Sequence, residues 1–246
     1  MTSKQRQQEA RRLYDNTDYF SKHLGVFSNL NSPFQRYRIR KVLEIYRPAE
    51  SDDALDLGCG WGTFTFALAP CVRLIVGLDS SYRAIAVCEK LAKIRSCSNA
   101  HFVHADAEKT GLGSEMFDVI VCADLVEHLY PSVFRRTLEE CNRLLKQGGK
   151  LVIWTPNRGH VFEILKNNGI LLKKDMSHVD YKSMNGLLAE LREGGFSIKK
   201  AYYVESHIPI LATIERALMN QLPFLRRRIA ILAEKALSPD SRIPNT

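Results

Sequence analysis

Two rhythms of apolar residues alternate along the chain. Short runs that are apolar almost throughout, Ala54–Leu57, Val72–Leu78, Phe117–Cys122 and Lys150–Trp154, predict buried strands. His101–His104 predicts a briefer one. Between these runs the apolar positions recur at helical spacing. Thr63–Ala69 fits a helix after a glycine-rich turn. Ser80 or Ser81 can cap a second helix, whose inner face is Ile85, Cys88, Leu91 and Ala92. Pro131 opens a third with Phe134, Leu138, Cys141 and Leu145 on one side, and Gly148-Gly149 is expected to stop it. Ahead of the first strand, an amphipathic helix runs from about Phe34 to Tyr46, closed by Pro48. Strands and helices in strict alternation predict an α/β fold with a doubly wound parallel sheet covered on both faces.

Past Trp154 the pattern loosens. Ser183–Arg192 predicts a helix with Leu187, Leu188 and Leu191 inward, and Phe196–Val204 a strand. From near Pro209, apolar residues follow helical spacing as far as Leu225, and Arg226-Arg227-Arg228 comes next. Ile229–Ala236 is expected to be a last, antiparallel strand. With no repeat or linker in view, residues 1–246 read as a single domain. Residues 1–50 form a helical cap, 51–160 the ligand-binding core, and 161–246 the substrate-side elements and last strands.

Composition narrows the classes. With 246 residues, 45% of them hydrophobic, the chain can bury one sizeable core, and wholesale disorder is excluded. No apolar run approaches the roughly 18 residues of a membrane span. The polar start, MTSKQRQQEARR, has no hydrophobic signal core, so a cytoplasmic location is expected. Net charge is +8, concentrated in the flanks rather than the middle, which allows an anionic partner. The 6 cysteines form no CxxC pair and read as small hydrophobes in a reducing compartment.

The chemistry concentrates in Asp56-Leu57-Gly58-Cys59-Gly60-Trp61-Gly62. Alternate glycines let the backbone turn sharply and approach a ligand closely. The helix that follows points its N–H groups at whatever binds there. Asp79 ends the second strand, 21 residues after Gly58, where a carboxylate can accept from both hydroxyls of a ribose. The spacing is GxGxG, not the GxGxxG of dinucleotide enzymes. Asp106, after the third strand, can receive the exocyclic amine of an adenine. One ligand with an anionic end, a ribose and an adenine satisfies all three.

These motifs, LDLGCGWG, VGLDSS, HADAE, FDVIVCADLVEHL and GGKLVIWTPN, resemble those of the class I S-adenosylmethionine-dependent methyltransferases from about Arg36 to Phe196. The resemblance implies a Rossmann-like sheet of seven strands with the last antiparallel. It implies S-adenosylmethionine as cofactor and S-adenosylhomocysteine as product. Asp56, Gly58, Cys59, Gly60 and Gly62 would line the methionine and ribose, with Asp79 and Ser80 at the ribose hydroxyls. Asp106 and Ala107 would hold the adenine, and Asp124 and Leu125 would flank the methyl-bearing face.

A neutral acceptor hydroxyl also needs a base, and His128 is the candidate. Asp124-x-x-Glu127-His128 followed by Thr155-Pro156-Asn157 and His178 is similar to the metal-binding layout of small-RNA terminal methyltransferases, and ubiquinone-type O-methyltransferases show related patterns. The sequence departs from that layout at Asp124. A divalent metal is therefore not favoured, and no metal ligand is assigned. On the acceptor side the candidates are Tyr19, Arg36, His128 and His178. The apolar segment and arginines of 209–228 suggest peripheral membrane contact. The expected activity is methyl transfer to an oxygen or nitrogen of a small apolar or aromatic metabolite. An RNA methyltransferase and a non-catalytic scaffold are the alternatives. Nucleic acid is not favoured as a partner, because no separate RNA-binding module is evident.

Overall fold

The computed structural model describes residues 30–168 and 178–236, and the account below concerns these. Strand β1 (Asp53–Leu57) is buried at every position, as its unbroken apolar run requires. It pairs in parallel with β2 (Leu74–Asp79) and with β4 (Phe117–Ala123). Strand β3 (Ala100–His104) extends the sheet beyond β2, and β5 (Leu145–Pro156) extends it beyond β4, again in parallel. Strand β7 (Arg228–Lys235) then inserts antiparallel between β5 and β6 (Phe196–Val204). The order is β3-β2-β1-β4-β5-β7-β6, seven strands with the last in sequence antiparallel. This is the Rossmann-like sheet expected. Its order reverses between β1 and β4, so a crevice opens at their carboxyl ends.

Alternation along each strand sends side chains to two cores. Leu55, Leu57, Ile120 and Ile153 pack beneath α4 (Pro131–Leu144) and α6 (Met184–Glu193), against Phe134, Leu138, Leu187 and Leu191, with α5 (Val161–Asn167) lying between the two in the chain. Ala54, Val119, Val121, Val152 and Trp154 face the other way, onto Tyr37, Val42 and Ile45 of α1 (Pro33–Ile45) and Phe64 and Leu68 of α2 (Thr63–Leu68). Ser81, not Ser80, caps α3 (Tyr82–Ile94), its hydroxyl accepting from the Ala84 N–H at 3.3 Å. The six cysteines are unbridged, four of them buried.

Several sequence expectations need correction. Helix α4 ends at Leu144, before the glycine pair, because Leu145 turns straight into extended backbone. Gly148 and Gly149 lie within β5, where Gly148 takes a left-handed φ of 71° and the register against β4 slips. The strand expected from Val72 starts at Leu74, since Pro70 tightens Ala69–Cys71 into a 3-10 turn first. The helix expected as far as Leu225 is α7 (Pro209–Leu218), followed by a separate turn at Pro223–Leu225.

Helix α7 turns its apolar stripe outward. Ala212 and Glu215 face in, while Ile210 is 78% exposed and Ile214 and Leu218 lie largely open. The Glu215 carboxylate explains this. It accepts from the buried Ser206 N–H and lies 3.6 Å from the buried His160 ring, so a polar anchor holds the inner face. Burial pushes the Glu215 carboxyl up from its ordinary pKa. Of the expected N-terminal cap, α1 is described, and the rest of 1–29 lies outside the described residues.

Phe134 is 1% exposed and sits centrally under α4. Phe134→Ala is expected to cost roughly 3–5 kcal/mol through lost burial and the cavity left behind. Urea unfolding at neutral pH measures it.

Candidate active site

The carboxyl end of β1 meets that of β2 through one acceptor. The Leu78 carbonyl takes hydrogen bonds from both Gly58 N–H (2.8 Å) and Cys59 N–H (2.9 Å), and Gly62 N–H closes the turn onto Cys59 at 2.8 Å. All three glycines are left-handed, with φ of 77°, 49° and 72°. They differ in what a side chain would meet. A Cβ on Gly58 would lie 2.8 Å from Leu125, and one on Gly62 would lie 2.6 Å from Phe66. At Gly60 it would meet nothing within 4 Å. The outer glycines are required by packing, and the middle one borders open space.

Asp79 stands beside that space. Its carboxylate accepts from the Gly60 N–H and the Ser81 N–H, each at 2.8 Å, so its orientation is fixed by backbone. Ser80 presents its carbonyl to His104 Nε2 at 3.0 Å. The loop after β3 lies alongside, since Ala105 N–H donates to the Asp79 carbonyl at 3.1 Å. That loop carries Asp106 and Ala107, both half-buried. Thr110 ties it to Glu140 on α4 through N–H and hydroxyl, at 3.0 and 2.5 Å. Asp56 sits beneath the glycine loop rather than on its surface. It is 1% exposed and accepts from the Thr65 N–H and hydroxyl at 2.8 and 2.6 Å. Burial pushes its carboxyl up to about 6 despite these bonds.

At the end of β4, Asp124 adopts a left-handed φ of 55° and donates its N–H to the Trp154 carbonyl at 2.8 Å. Its two carboxylate oxygens are gripped separately by Arg38 from α1 and Arg228 from β7. Burial alone would raise this carboxyl, but the two guanidiniums hold it down at about 2. Leu125 covers Gly58. The short turn Val126–His128 then presents a buried Glu127 and a half-buried His128. Glu127 accepts from the Thr155 hydroxyl at 3.0 Å, and its burial raises its carboxyl. His178 stacks edge-on against His128, ring centroids 4.8 Å apart. Glu127, His128 and His178 offer donor atoms all within 4.8 Å of one another, a set able to hold a metal ion.

The fold thus brings Asp56, the glycines, Asp79, Asp106, Asp124, Leu125 and His128 to one edge of the sheet, with His178 beside them. Arg36 is exposed on α1. Two residues further along a helix is more than half a turn, so Arg38 faces inward instead. Gln35, Arg38, Val42 and Ile45 form the buried stripe of α1, and that spacing is the sequence signal that picks out Arg38. Arg228 carried no such signal, because its role depends on β7 inserting beside β5. Tyr19 lies outside the described residues.

An open α/β sheet with a glycine turn at its switch point and a braced acid one strand over is the Rossmann-like arrangement. Residues 54–149 match the family described as "Methyltransferase domain". It is 32% identical over 118 residues to a ubiquinone biosynthesis O-methyltransferase of Coxiella burnetii, covering 48% of this chain and 49% of that one. The chain thus spans about half the length of the curated relatives it matches. A SAM dependent methyltransferase from Archaeoglobus fulgidus superposes with a TM-score of 0.66 at 20% identity, covering 89% of this chain and 100% of that one. The [4+2]-cyclase SpnF superposes at 0.65 with 19% identity and 85% of each chain covered. At such identities the likeness is one of fold.

Asp124 is a folded-state acid with a depressed pKa. Its stabilisation is present in full above the ordinary carboxylate value of about 4 and is lost as pH falls through about 2. Asp124→Asn is expected to lower stability by roughly 3 kcal/mol near neutral pH, because two buried guanidiniums lose their counter-charge. The difference from the parent should shrink as the pH of a denaturant titration series is taken down through that window.

Proposed function

We propose that this protein transfers a methyl group from S-adenosylmethionine to an oxygen or nitrogen of a small apolar or aromatic metabolite. The observation that carries the reading is the open space at Gly60 next to the backbone-braced Asp79. In this reading Gly58, Cys59, Gly60 and Gly62 line the methionine and ribose, and Asp56 supports the loop from beneath. Asp79 takes the ribose hydroxyls, with Ser80 beside it. Asp106 and Ala107 border the adenine, and Asp124 and Leu125 border the methyl-bearing face. Bound there, S-adenosylmethionine supplies an electrophilic methyl group and leaves as S-adenosylhomocysteine. The protein's own task is to align acceptor and donor and to keep water out. His128 takes the acceptor's proton at a ring nitrogen, and His178 borders the acceptor.

The name of the Coxiella relative, a ubiquinone biosynthesis O-methyltransferase, supports an aromatic acceptor. The outward apolar face of α7, with Ile210, Ile214 and Leu218, and the exposed Phe224 support a peripheral contact of 209–228 with a membrane on the cytoplasmic side. Among the described residues no helix is long and apolar enough to cross a membrane.

The test of function is transfer of labelled methyl into a fractionated cell extract. Label in organic-soluble material is the expected outcome. Label in RNA, or tight cofactor binding with no labelled product, would replace this reading with the RNA or the scaffold alternative. Asp79→Asn is expected to weaken S-adenosylhomocysteine binding at least about tenfold in calorimetry, because a carboxylate accepts better from paired hydroxyls than an amide. Ile214→Glu is expected to reduce co-sedimentation with anionic lipid vesicles while leaving cofactor binding unchanged.

A further inference from the structure

The chain just after β2 is tied to β3 at two successive peptide units. The strands run in parallel, with His104 opposite Asp79. Ala105 N–H donates to the Asp79 carbonyl at 3.1 Å, which fixes the first peptide, Asp79–Ser80. His104 reaches the second, Ser80–Ser81, with its Nε2 at 3.0 Å from the Ser80 carbonyl. A carbonyl only accepts, so that ring nitrogen carries the hydrogen. The Ser80 carbonyl and the Ser81 N–H belong to one planar trans unit and point in opposite directions. On the far side, the Ser81 N–H donates to Asp79 Oδ1 at 2.8 Å. Pinning the carbonyl therefore pins the donor that orients the acid. Gly60 N–H holds the other oxygen, Oδ2, also at 2.8 Å. The Tyr82 ring stands edge-on to the imidazole, centroids 5.9 Å apart, and keeps it seated.

We propose that His104 is a positioning residue for the adenosyl ligand, pinning the Ser80–Ser81 peptide so that the Asp79 carboxylate faces the ribose hydroxyls. This deepens the methyl-transfer reading and rests on its placement of the ribose at Asp79. His104 touches no reacting atom and acts only through the acid. The imidazole lies at the exposed edge of the sheet, where water can take its place at the carbonyl. Its removal therefore weakens the ligand severalfold and does not abolish binding.

The test is calorimetry of the full chain with S-adenosylhomocysteine. His104→Ala is expected to weaken binding about fivefold. In His104→Gln the amide nitrogen takes the place of Nε2 and still donates, so binding is expected within about twofold of the parent. His104→Asn is too short to reach Ser80 and should behave like His104→Ala. In an Asp79→Ala background, His104→Ala should have no further effect, because a residue that acts through Asp79 has nothing left to position. Thermal unfolding of the ligand-free His104 variants should match the parent. His101→Ala, an exposed histidine on the same strand, should bind as the parent does. Unchanged affinity in His104→Ala, with Asp79→Ala weakened, would overturn the proposal and leave the ribose at Asp79. A loss that adds in full to that of Asp79→Ala would overturn it too, as would a His104→Gln no better than His104→Ala. A parent that binds no S-adenosylhomocysteine would remove the methyl-transfer reading, and the proposal with it.

Discussion

The carboxylate of Asp124 joins three segments that are far apart in sequence. Arg38 comes from α1, 86 residues earlier, and Arg228 from the start of β7, 104 residues later. Asp124 can stand between them because its left-handed backbone lifts it out of β4, while its N–H stays bonded to β5. A buried acid gripped on both sides is costly to desolvate and costly to break. The contact therefore adds less to net stability than to uniqueness of arrangement. It fixes where the N-terminal helix and the last strand sit relative to the crevice. Trp154, packed against Tyr37 and near the Arg228 guanidinium, fills the space behind it.

On that frame the glycine loop and the turn after β4 act as one surface. Leu125 sits where a side chain on Gly58 would go, so the loop that cradles one ligand is shaped in part by the turn that carries Glu127 and His128. Charge is segregated across this surface. Asp79 is braced by backbone N–H groups, Asp124 is neutralised by guanidiniums, and Glu127 faces imidazoles. Three acids at one edge thereby keep three different chemistries.

Helix α7 shows how a polar contact can override hydrophobic pattern. Its apolar positions recur at regular helical spacing, yet Ile210 and Ile214 point outward while Glu215 is buried. The determining contacts, to the Ser206 N–H and the His160 ring, involve chain before and well before the helix itself. A periodicity argument weighs apolar area alone and has no access to such partners. The glycine pair at 148–149 fails as a helix stop for a related reason. The demand of β5 to pair with both β4 and β7 draws the extended backbone back to Leu145.

The strands β1, β2 and β4, their order of appearance, the glycine loop and the acid ending β2 are legible in the sequence because each depends on local backbone chemistry. An all-apolar run has to be covered on both faces, and alternate glycines permit left-handed turns. The last strand, Ile229–Ala236, was placed by its apolar run, and the family resemblance agreed with its antiparallel sense. What tertiary structure alone decided is which charges meet. Arg38 was chosen over Arg36 by the facing of α1, Arg228 by strand insertion, and the company of Glu127, His128 and His178 by hydrogen bonds from Val179 and Asp180 N–H to the Glu127 carbonyl. Such pairings turn on distances of a few ångströms between remote segments, and no one-dimensional pattern records them.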